Sequence, residues 1–245
     1  MIIWNILFPR RCPVCDRIVV PPGERICRTC TFYLSPVRQP TCQKCGKEVS
    51  HDCQEYCPDC ARHKRSFDSG AALLNYNEVA RHSLAAIKYK NRREYLDFYG
   101  TAMQHRFYKK IQQWRPDFLI PIPIHPSRRR QRGYNQAEEL AVRLGKAWNI
   151  PVETKLLLRI RKTVPQRDLN PTERLKNLQE AFQIHPDFQK GTKNGKDIRT
   201  RLPKCVILID DIYTTGSTIE ACTRVLKKAG VKEVHYLAIG IGYGI

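Results

Sequence analysis

The sequence predicts an α/β protein in which a doubly wound, mostly parallel sheet follows a small cysteine-rich domain. Strand-like apolar runs alternate with segments whose apolar residues recur at helical spacing, the order expected of a parallel sheet with crossover helices. The run 206–209 is apolar without a break, as a strand covered on both faces requires. Nine of the eleven cysteines lie in the first sixty residues, so the N-terminal part needs a different source of stability.

Local patterns place the elements of the α/β part. Apolar residues recur at helical spacing within 78–89, and Gly230 stops a helix over 217–229. The predicted strands are 71–76, 118–120, 156–160, 181–184, 205–209 and 234–241, and the remaining predicted helices are 94–114 and 134–149. The segment 186–203 is rich in Gly, Lys, Asn and Thr, so we expect an exposed, mobile loop there.

The cysteines form an internal repeat. Two Cys-x-x-Cys pairs are separated by eleven residues, and the same unit recurs thirty residues later. The repeated cysteines are Cys12, Cys15, Cys27, Cys30, Cys42, Cys45, Cys57 and Cys60. Four thiolates around one tetrahedral ion make a closed structural zinc site, so the repeat predicts a double zinc ribbon with two Zn²⁺ ions. Sequential pairing of the pairs is the simplest arrangement, and pairing across the repeat is the alternative.

Two further residues in this region are weaker ligand candidates. Cys53 breaks the repeat spacing and is predicted to be free, although it could replace Cys57 as a ligand. His51 is close enough to substitute, but we expect it to be exposed to solvent. Composition changes near 61–67, where the cysteines stop. We therefore predict a ribbon domain over 1–64 and an α/β domain over 65–245.

Composition limits the function classes. The chain has 245 residues, a formal net charge of +20 and a mean hydropathy of −0.50, and it contains no apolar run long enough for a transmembrane span. Its short apolar N-terminus lacks the basic start and the small-residue cleavage site of a signal peptide, so we expect a cytoplasmic protein. Such a charge attracts polyanions, and nucleic acid is the first candidate, with a generally basic protein as the alternative.

The segment 206–219 carries the main chemical prediction. Two carboxylates, Asp210 and Asp211, follow the buried strand, and a run of small residues over 214–218 precedes a helix. Gly216 permits a tight turn around a phosphate, and the helix N-terminus adds free N–H groups and a positive partial charge. The paired carboxylates suit a vicinal diol. Together these groups predict a ribose 5-phosphate site. Tyr213 is predicted to stack on a base or to pack internally.

A basic segment over 121–137 is the second candidate for ligand contact. Its arginine and backbone donors suit pyrophosphate oxygens. The candidate residues on the pyrophosphate side are Arg128, Arg132, Gly133, Asn135 and Gln136. Two structural alternatives compete, because residues 128–130 could form a solvated basic turn and Asn135 could cap the following helix.

These motifs resemble a known family. The segment 206–219 resembles the binding motif for phosphoribosyl pyrophosphate (PRPP) in type I phosphoribosyltransferases. With the cysteine ribbons, the segment 87–96, the run 121–136 and the sequence Thr-Val-Pro-Gln at 163–166, the chain resembles the ComF family of competence-associated phosphoribosyltransferase-like proteins. The resemblance implies a phosphoribosyltransferase type I fold.

The resemblance also implies roles for individual residues. Asp210 and Asp211 would hold the ribose hydroxyls, and Thr214, Thr215, Gly216, Ser217 and Thr218 would cradle the 5-phosphate of PRPP. The segment 162–170 would be a mobile loop that closes over PRPP and brings Lys162 or Arg167, the candidate catalytic residues, to the departing pyrophosphate. Ordinary solvated charge is the alternative for both side chains. Mg²⁺ is expected to accompany PRPP.

Three functions are compatible with these features. The first is a PRPP-binding competence factor that handles incoming single-stranded DNA, with a competence helicase or DNA-processing protein as a possible partner. Its DNA groove would use Lys88, Lys90, Arg92, Arg93, Arg128, Arg129, Arg130 and Arg132. The second is a phosphoribosyltransferase that modifies an unidentified base or nitrogen acceptor, although no base-specificity segment is recognisable. The third is a zinc-ribbon adaptor that senses PRPP.

Overall fold

The protein contains a four-stranded parallel sheet and a separate two-stranded sheet in the computed structural model, which describes residues 9–161, 180–189 and 202–242. The strands are β1 (Ser69–Asn75), β2 (Phe118–Pro121), β3 (Leu157–Arg159), β4 (Phe182–Ile184), β5 (Cys205–Tyr213) and β6 (Glu233–Ile241). The parallel sheet has the order β1-β6-β5-β2, and β3 pairs with β4 in antiparallel fashion. The predicted α/β class is therefore confirmed, with the small antiparallel sheet as an addition.

The described part of the chain contains seven α-helices and one short 3-10 helix, Thr29–Tyr33. The α-helices are α1 (Pro58–Arg62), α2 (Glu78–Tyr89), α3 (Tyr95–Trp114), α4 (Pro126–Arg132), α5 (Gln136–Trp148), α6 (Pro186–Gln189) and α7 (Ser217–Ala229). Asn77 caps α2 by accepting from the Ala80 amide at 2.9 Å, whereas α7 ends at Gly230 with a φ of 114°. In this part of the chain every helix is too short or too polar to cross the apolar core of a bilayer.

The parallel sheet is covered on both faces. Ile207 and Ile209 pack with residues of α2, α3 and α5, whereas Val206 and Leu208 pack with α7, the small sheet and the second cysteine unit. Alternate residues of a strand point to opposite faces, so both faces of β5 must be apolar. This double burial explains the unbroken apolar run and confirms the doubly wound arrangement.

The two cysteine units share a local fold. In the first unit the Cys12 amide donates to the Arg17 carbonyl at 2.8 Å, and in the second the Cys42 amide donates to the Lys47 carbonyl at 2.7 Å. Each unit also contains one antiparallel bridge, Arg11 to Ile18 and Thr41 to Glu48. The sequence repeat is therefore also a structural repeat.

Three details differ from the predictions. Strand β5 continues to Tyr213, because Asp210, Ile212 and Tyr213 remain paired with β6, so Tyr213 ends the strand rather than lying in the following loop. Residues 126–132 form helix α4 where a turn was considered, and α6 begins the segment 186–203 that was predicted to be a loop. The remainder of that segment up to residue 201, the N-terminal residues 1–8 and the predicted loop 162–170 lie outside the described residues.

Candidate ligand site and metal centres

The paired carboxylates lie at the carboxyl end of β5. Asp211 is buried, with 6% of its surface exposed, and forms an ion pair with Lys88 of α2. The Gln136 side-chain amide, at the start of α5, donates to the other oxygen of Asp211 at 3.2 Å. The loops after parallel strands meet at this edge of a sheet, where ligands bind in open α/β folds.

Lys88 was one of the candidates for a DNA groove, and the structure pairs it with a carboxylate of this site. Its side chain is one-fifth exposed and is held by Asp211. A signal was present in the sequence, because Lys88 follows the buried Leu84 by four residues and so lies near the inward face of α2. The amphipathic pattern places Lys88 at the margin of the core rather than on the outer surface.

The electrostatics of the carboxylate pair favour a cation or a hydrogen-bond donor. Burial raises the pKa of Asp210 well above its usual range, and the charge of Asp211 raises it further, while Lys88 opposes the rise. Burial alone would lower the pKa of Lys88, but Asp211 and Asp210 outweigh that effect and raise it. The Asp211 amide also donates to the Asp210 carboxyl at 2.9 Å. A donor to Asp210 would therefore relieve an unfavourable charge.

The small-residue turn follows directly. Gly216 precedes α7 with a φ of 75°, and a Cβ there would lie 2.3 Å from the Tyr213 hydroxyl, so only glycine fits. Within the described residues, no side chain caps the N-terminus of α7. Thr214 and Thr215 are exposed, and the Thr215 and Ser217 hydroxyls are 2.9 Å apart. Uncapped N–H groups and hydroxyls at a helix start can bind a phosphate.

Tyr213 packs inside the protein. Its ring stacks on Tyr236 with centroids 4.7 Å apart and an interplanar angle of 4°, and Phe67 meets it edge-on at 6.2 Å. The ring is 1% exposed. The packing alternative is therefore correct, and the ring forms the wall behind the turn.

The basic segment is only partly connected to this site. The Arg132 guanidinium donates to the Gln136 side-chain oxygen at 2.5 Å, which links it through Gln136 to Asp211. Asn135 caps α5 by accepting from the Ala137 amide, and it donates to the Ile122 carbonyl at 2.9 Å, so its observed role is structural. Gly133 ends α4 with a φ of 80°.

The remaining candidates for a basic groove divide into paired and exposed residues. Arg129 pairs with Glu138 at 2.8 Å and Arg92 with Asp16 at 3.3 Å. Arg93 lies 3.7 Å from Glu139 and stacks over the Tyr134 ring. Lys90, Arg128 and Arg130 are exposed. Lys162 and Arg167 lie outside the described residues.

The cysteine units form two separate metal centres. In each unit the four ligand sulfurs lie within 4.8 Å of one another, and the groups are Cys12, Cys15, Cys27 and Cys30, and Cys42, Cys45, Cys57 and Cys60. The sequential pairing is therefore the one the structure adopts. Cys53 is exposed and belongs to neither group. Four clustered thiols are the donor set of structural zinc, so the two sites fit two Zn²⁺ ions.

Comparisons with known proteins agree with this architecture. A family model described as "Double zinc ribbon domain" matches residues 3–61. The chain is 30% identical over 231 residues to "Competence protein F" of Haemophilus influenzae, covering 93% of this chain and 95% of that protein. It is 26% identical over 235 residues to "Competence protein ComFC" of Bacillus subtilis, covering 94% and 85%.

Two further proteins show weaker or partial similarity to this chain. "DNA utilization protein YhgH" of Salmonella typhi is 29% identical over 123 residues, covering 49% of this chain and 47% of that protein. A purine phosphoribosyltransferase from Pyrococcus horikoshii is structurally similar with a TM-score of 0.33 and 17% identity, covering 61% of this chain and 86% of that one. The full-length sequence match to Competence protein F decides the classification: this chain belongs to the ComF family of competence proteins.

Proposed function

We propose that this protein binds PRPP at the end of β5 and handles incoming single-stranded DNA in the cytoplasm during DNA uptake. One juxtaposition carries the PRPP part of the proposal: a carboxylate pair lies beside an uncapped helix start preceded by Gly216. The carboxylates accept hydrogen bonds from ribose hydroxyls, and the turn donates to the 5-phosphate.

The charge balance at the carboxylates supports this assignment. Asp211 is neutralised by Lys88, whereas Asp210 is half-buried and more accessible. A ribose hydroxyl that donates to Asp210 would stabilise its ionised form. Mg²⁺, which prefers hard oxygen ligands, also fits these carboxylates, and it would neutralise charge on the pyrophosphate of PRPP.

Calorimetry with PRPP and Mg²⁺ tests the site. We expect native protein to bind PRPP, and Asp210→Asn and Asp211→Asn each to weaken binding about 10- to 100-fold, since each change removes a charge-assisted hydrogen bond. Asp187→Asn, which alters an exposed acid on α6, is the matched control and should bind normally. Absence of PRPP binding by native protein, or native-like binding by both site variants, would rule out the proposal.

The raised pKa of Asp210 gives a second test. Below that pKa the free site holds a proton that a donor to the carboxylate must displace, so PRPP binding should release a proton and strengthen as pH rises towards the pKa. Calorimetry in buffers of different ionisation enthalpy measures the released proton. The Asp210→Asn variant should release none. A proton count that is the same in native protein and this variant would contradict the assignment.

The DNA part of the proposal is supported by the basic charge, by the names of the relatives, and by the exposed basic residues near the site. Arg128, Arg130 and Lys90 are exposed, and Tyr89 is an exposed aromatic ring whose face lies under the Arg132 guanidinium. Cationic side chains with exposed aromatics are the usual elements of single-strand binding surfaces.

Salt-dependent binding of a single-stranded oligonucleotide tests this surface. The logarithm of affinity should fall with the logarithm of salt, with a slope of about −0.7 per neutralised phosphate, and replacing Arg128 and Arg130 with alanine should reduce that slope by about 1.4. Lys228→Ala with Lys232→Ala removes two exposed charges at the other end of the sheet and is the control. An equal reduction of the salt slope in both double variants would show that only the net charge of the protein affects binding.

Phosphoribosyl transfer is the alternative function, and the position of Asp210 at the end of β5, beside the uncapped start of α7, is the observation that favours it. A nitrogen acceptor that attacks the anomeric carbon displaces pyrophosphate and must lose a proton, which the ionised carboxylate of Asp210, a stronger base because its pKa is raised, can accept. Incubation with labelled PRPP and a panel of nitrogen bases should then yield an N-glycoside, pyrophosphate and a proton. No pyrophosphate release with any acceptor would restrict the protein to PRPP binding.

A further inference from the structure

A second group of ligand-type side chains lies at the opposite end of the sheet from Asp210. Cys205 is the first residue of β5, and Glu233 and His235 are the first and third residues of β6. Cys205 is in register with Glu233, and His235 is two residues further along the same strand. Residues two apart in a strand share a face, so all three side chains lie on one side of the sheet.

The three ligand atoms converge. The Cys205 sulfur, a Glu233 carboxylate oxygen and a His235 ring nitrogen lie within 4.8 Å of one another. The distance from His235 Nε2 to Glu233 Oε2 is 3.6 Å. Zn–S and Zn–N bonds of about 2.3 and 2.0 Å require ligand atoms less than about 4 Å apart, so a movement of about 1 Å closes the group around an ion.

The His235 ring is fixed in an orientation that suits a metal ligand. Its Nδ1 lies 2.9 Å from the Ser69 hydroxyl, and its ring stacks on Trp114 with centroids 4.4 Å apart and an angle of 6°. The residue is 6% exposed, and within the described part of the chain its buried Nε2 makes no hydrogen bond. If Nδ1 donates to Ser69, the lone pair is on Nε2, which is the arrangement that orients metal-bound histidines.

We propose that Cys205, Glu233 and His235 bind a third Zn²⁺ ion, with water as the fourth ligand. Thiolate, imidazole and carboxylate are all zinc ligands, and three protein ligands leave one open position. A thiolate and a carboxylate cancel the charge of the dication, so the occupied centre would be neutral. Most of the Glu233 side chain is exposed, which gives the ion and the water a path from solvent.

Zinc binding would change the hydrogen bonding of the Cys205 thiol. The Cys205 thiol donates to the Trp114 carbonyl at 3.2 Å. Zinc would displace the thiol proton to solvent, and the carbonyl would lose this donor. Neighbouring charges remain paired, because Asp68 is held by Lys227 at 2.8 Å and Asp117 accepts from the amides of Lys204 and Cys205.

The competing explanation is that the three residues only pack together. The number of zinc ions bound per chain distinguishes this explanation from a metal site. The full chain is loaded with Zn²⁺ under reducing conditions, desalted, and measured by mass spectrometry of the metal. We expect three zinc ions per chain in native protein and two in Cys205→Ser and in His235→Gln. Cys53→Ser removes an exposed thiol outside the three clusters and should keep three.

Substitution of a buried ligand could prevent folding, so a variant of the exposed ligand provides an independent test. Glu233→Gln alters an exposed side chain, so it should fold normally and should lower the affinity of the third ion at least tenfold in competition with a chelator. Two zinc ions in native protein would overturn the proposal, as would three in Cys205→Ser. A third ion that is lost on desalting of native protein would show an adventitious ion only and would also overturn it.

Discussion

The two cysteine units have the same spacing and the same local hydrogen bonds, yet they occupy different positions in the protein. In the second unit Cys42, Cys45 and Cys57 belong to the core that covers one face of the parallel sheet. The first unit forms a small cluster of its own and leaves apolar side chains exposed, including Phe32 at 87% and Val20 at 65%. One metal-binding motif therefore serves as core in one copy and remains peripheral in the other.

One pair of equivalent positions shows how the repeat accommodates both environments. Asp16 and Gly46 are thirty residues apart, and both have a positive φ. A Cβ at Gly46 would lie 2.6 Å from the Gly70 carbonyl oxygen, so the second unit packs against β1 with its backbone. Asp16 instead accepts a hydrogen bond from the Tyr95 hydroxyl at 2.5 Å and pairs with Arg92. The same turn therefore makes a close backbone contact in the second unit and polar side-chain contacts in the first.

The largest expected difference comes from removing one zinc ligand from each unit. Structural zinc supplies about 10–16 kcal/mol in zinc-finger peptides, so Cys45→Ser should destabilise the core that the second unit shares with the sheet. We expect Tm to fall by about 10–20 °C, with loss of one zinc ion. Cys15→Ser is the matched change in the first unit. It should also lose one zinc ion but lower the Tm of the sheet by less than about 4 °C. Equal falls in Tm would contradict the comparison.

The turn position gives the next largest difference. Gly46→Ala adds a methyl group against the backbone of β1 and places a side chain at positive φ, so it should cost about 3–4 kcal/mol in the free energy of unfolding. Asp16→Gly keeps the turn but leaves the Tyr95 hydroxyl without this acceptor, at a cost of about 1 kcal/mol. Urea denaturation measures both. A smaller effect at position 46 than at position 16 would show that the second unit is not closely packed.

A single hydroxyl tests the contact between the second unit and the sheet. The Tyr236 hydroxyl donates to the Cys45 carbonyl at 2.6 Å in a buried environment. Tyr236→Phe should therefore cost about 1–2 kcal/mol and lower Tm by about 3–6 °C. Tyr33→Phe removes an exposed hydroxyl from the first unit and should leave Tm unchanged. A stable Tyr236→Phe protein would mean that this bond contributes little.

The smallest effect is expected on the exposed surface of the first unit. Replacing Phe32 and Val20 with serine should change the free energy of unfolding by less than about 0.5 kcal/mol, because neither side chain is buried. Thermal unfolding of the double variant checks this. A fall in Tm of more than about 5 °C would show that these side chains pack against part of the protein.

Sequence reasoning predicted the features that depend on local pattern or fixed spacing. The apolar run 206–209 gave the central strand, Gly216 and Gly230 marked the ends of α7, and the cysteine spacing gave both metal centres. It could not resolve the pairing of the cysteines, because spacing alone permits two arrangements. The structure shows the sequential one.

The missed features depend on contacts between distant residues. Lys88 lies more than one hundred residues from Asp211 in the sequence, and its ion pair exists only because α2 covers the end of β5. The Cys205, Glu233 and His235 group has no motif spacing, since strand pairing alone brings it together. Helix α4 was missed because its proline and consecutive arginines resemble a solvated turn.

The tyrosine stack connects the second ribbon to the turn at Gly216. Tyr236 bonds to the ribbon, stacks on Tyr213, and the Tyr213 hydroxyl lies where a Gly216 side chain would be. Thiol ligands are also the groups most readily oxidised. If this turn binds PRPP as proposed, oxidation of the thiols in the second ribbon should therefore weaken that binding. Protein stored without reductant should show reduced ligand occupancy at this turn. Its zinc content should be measured together with each affinity.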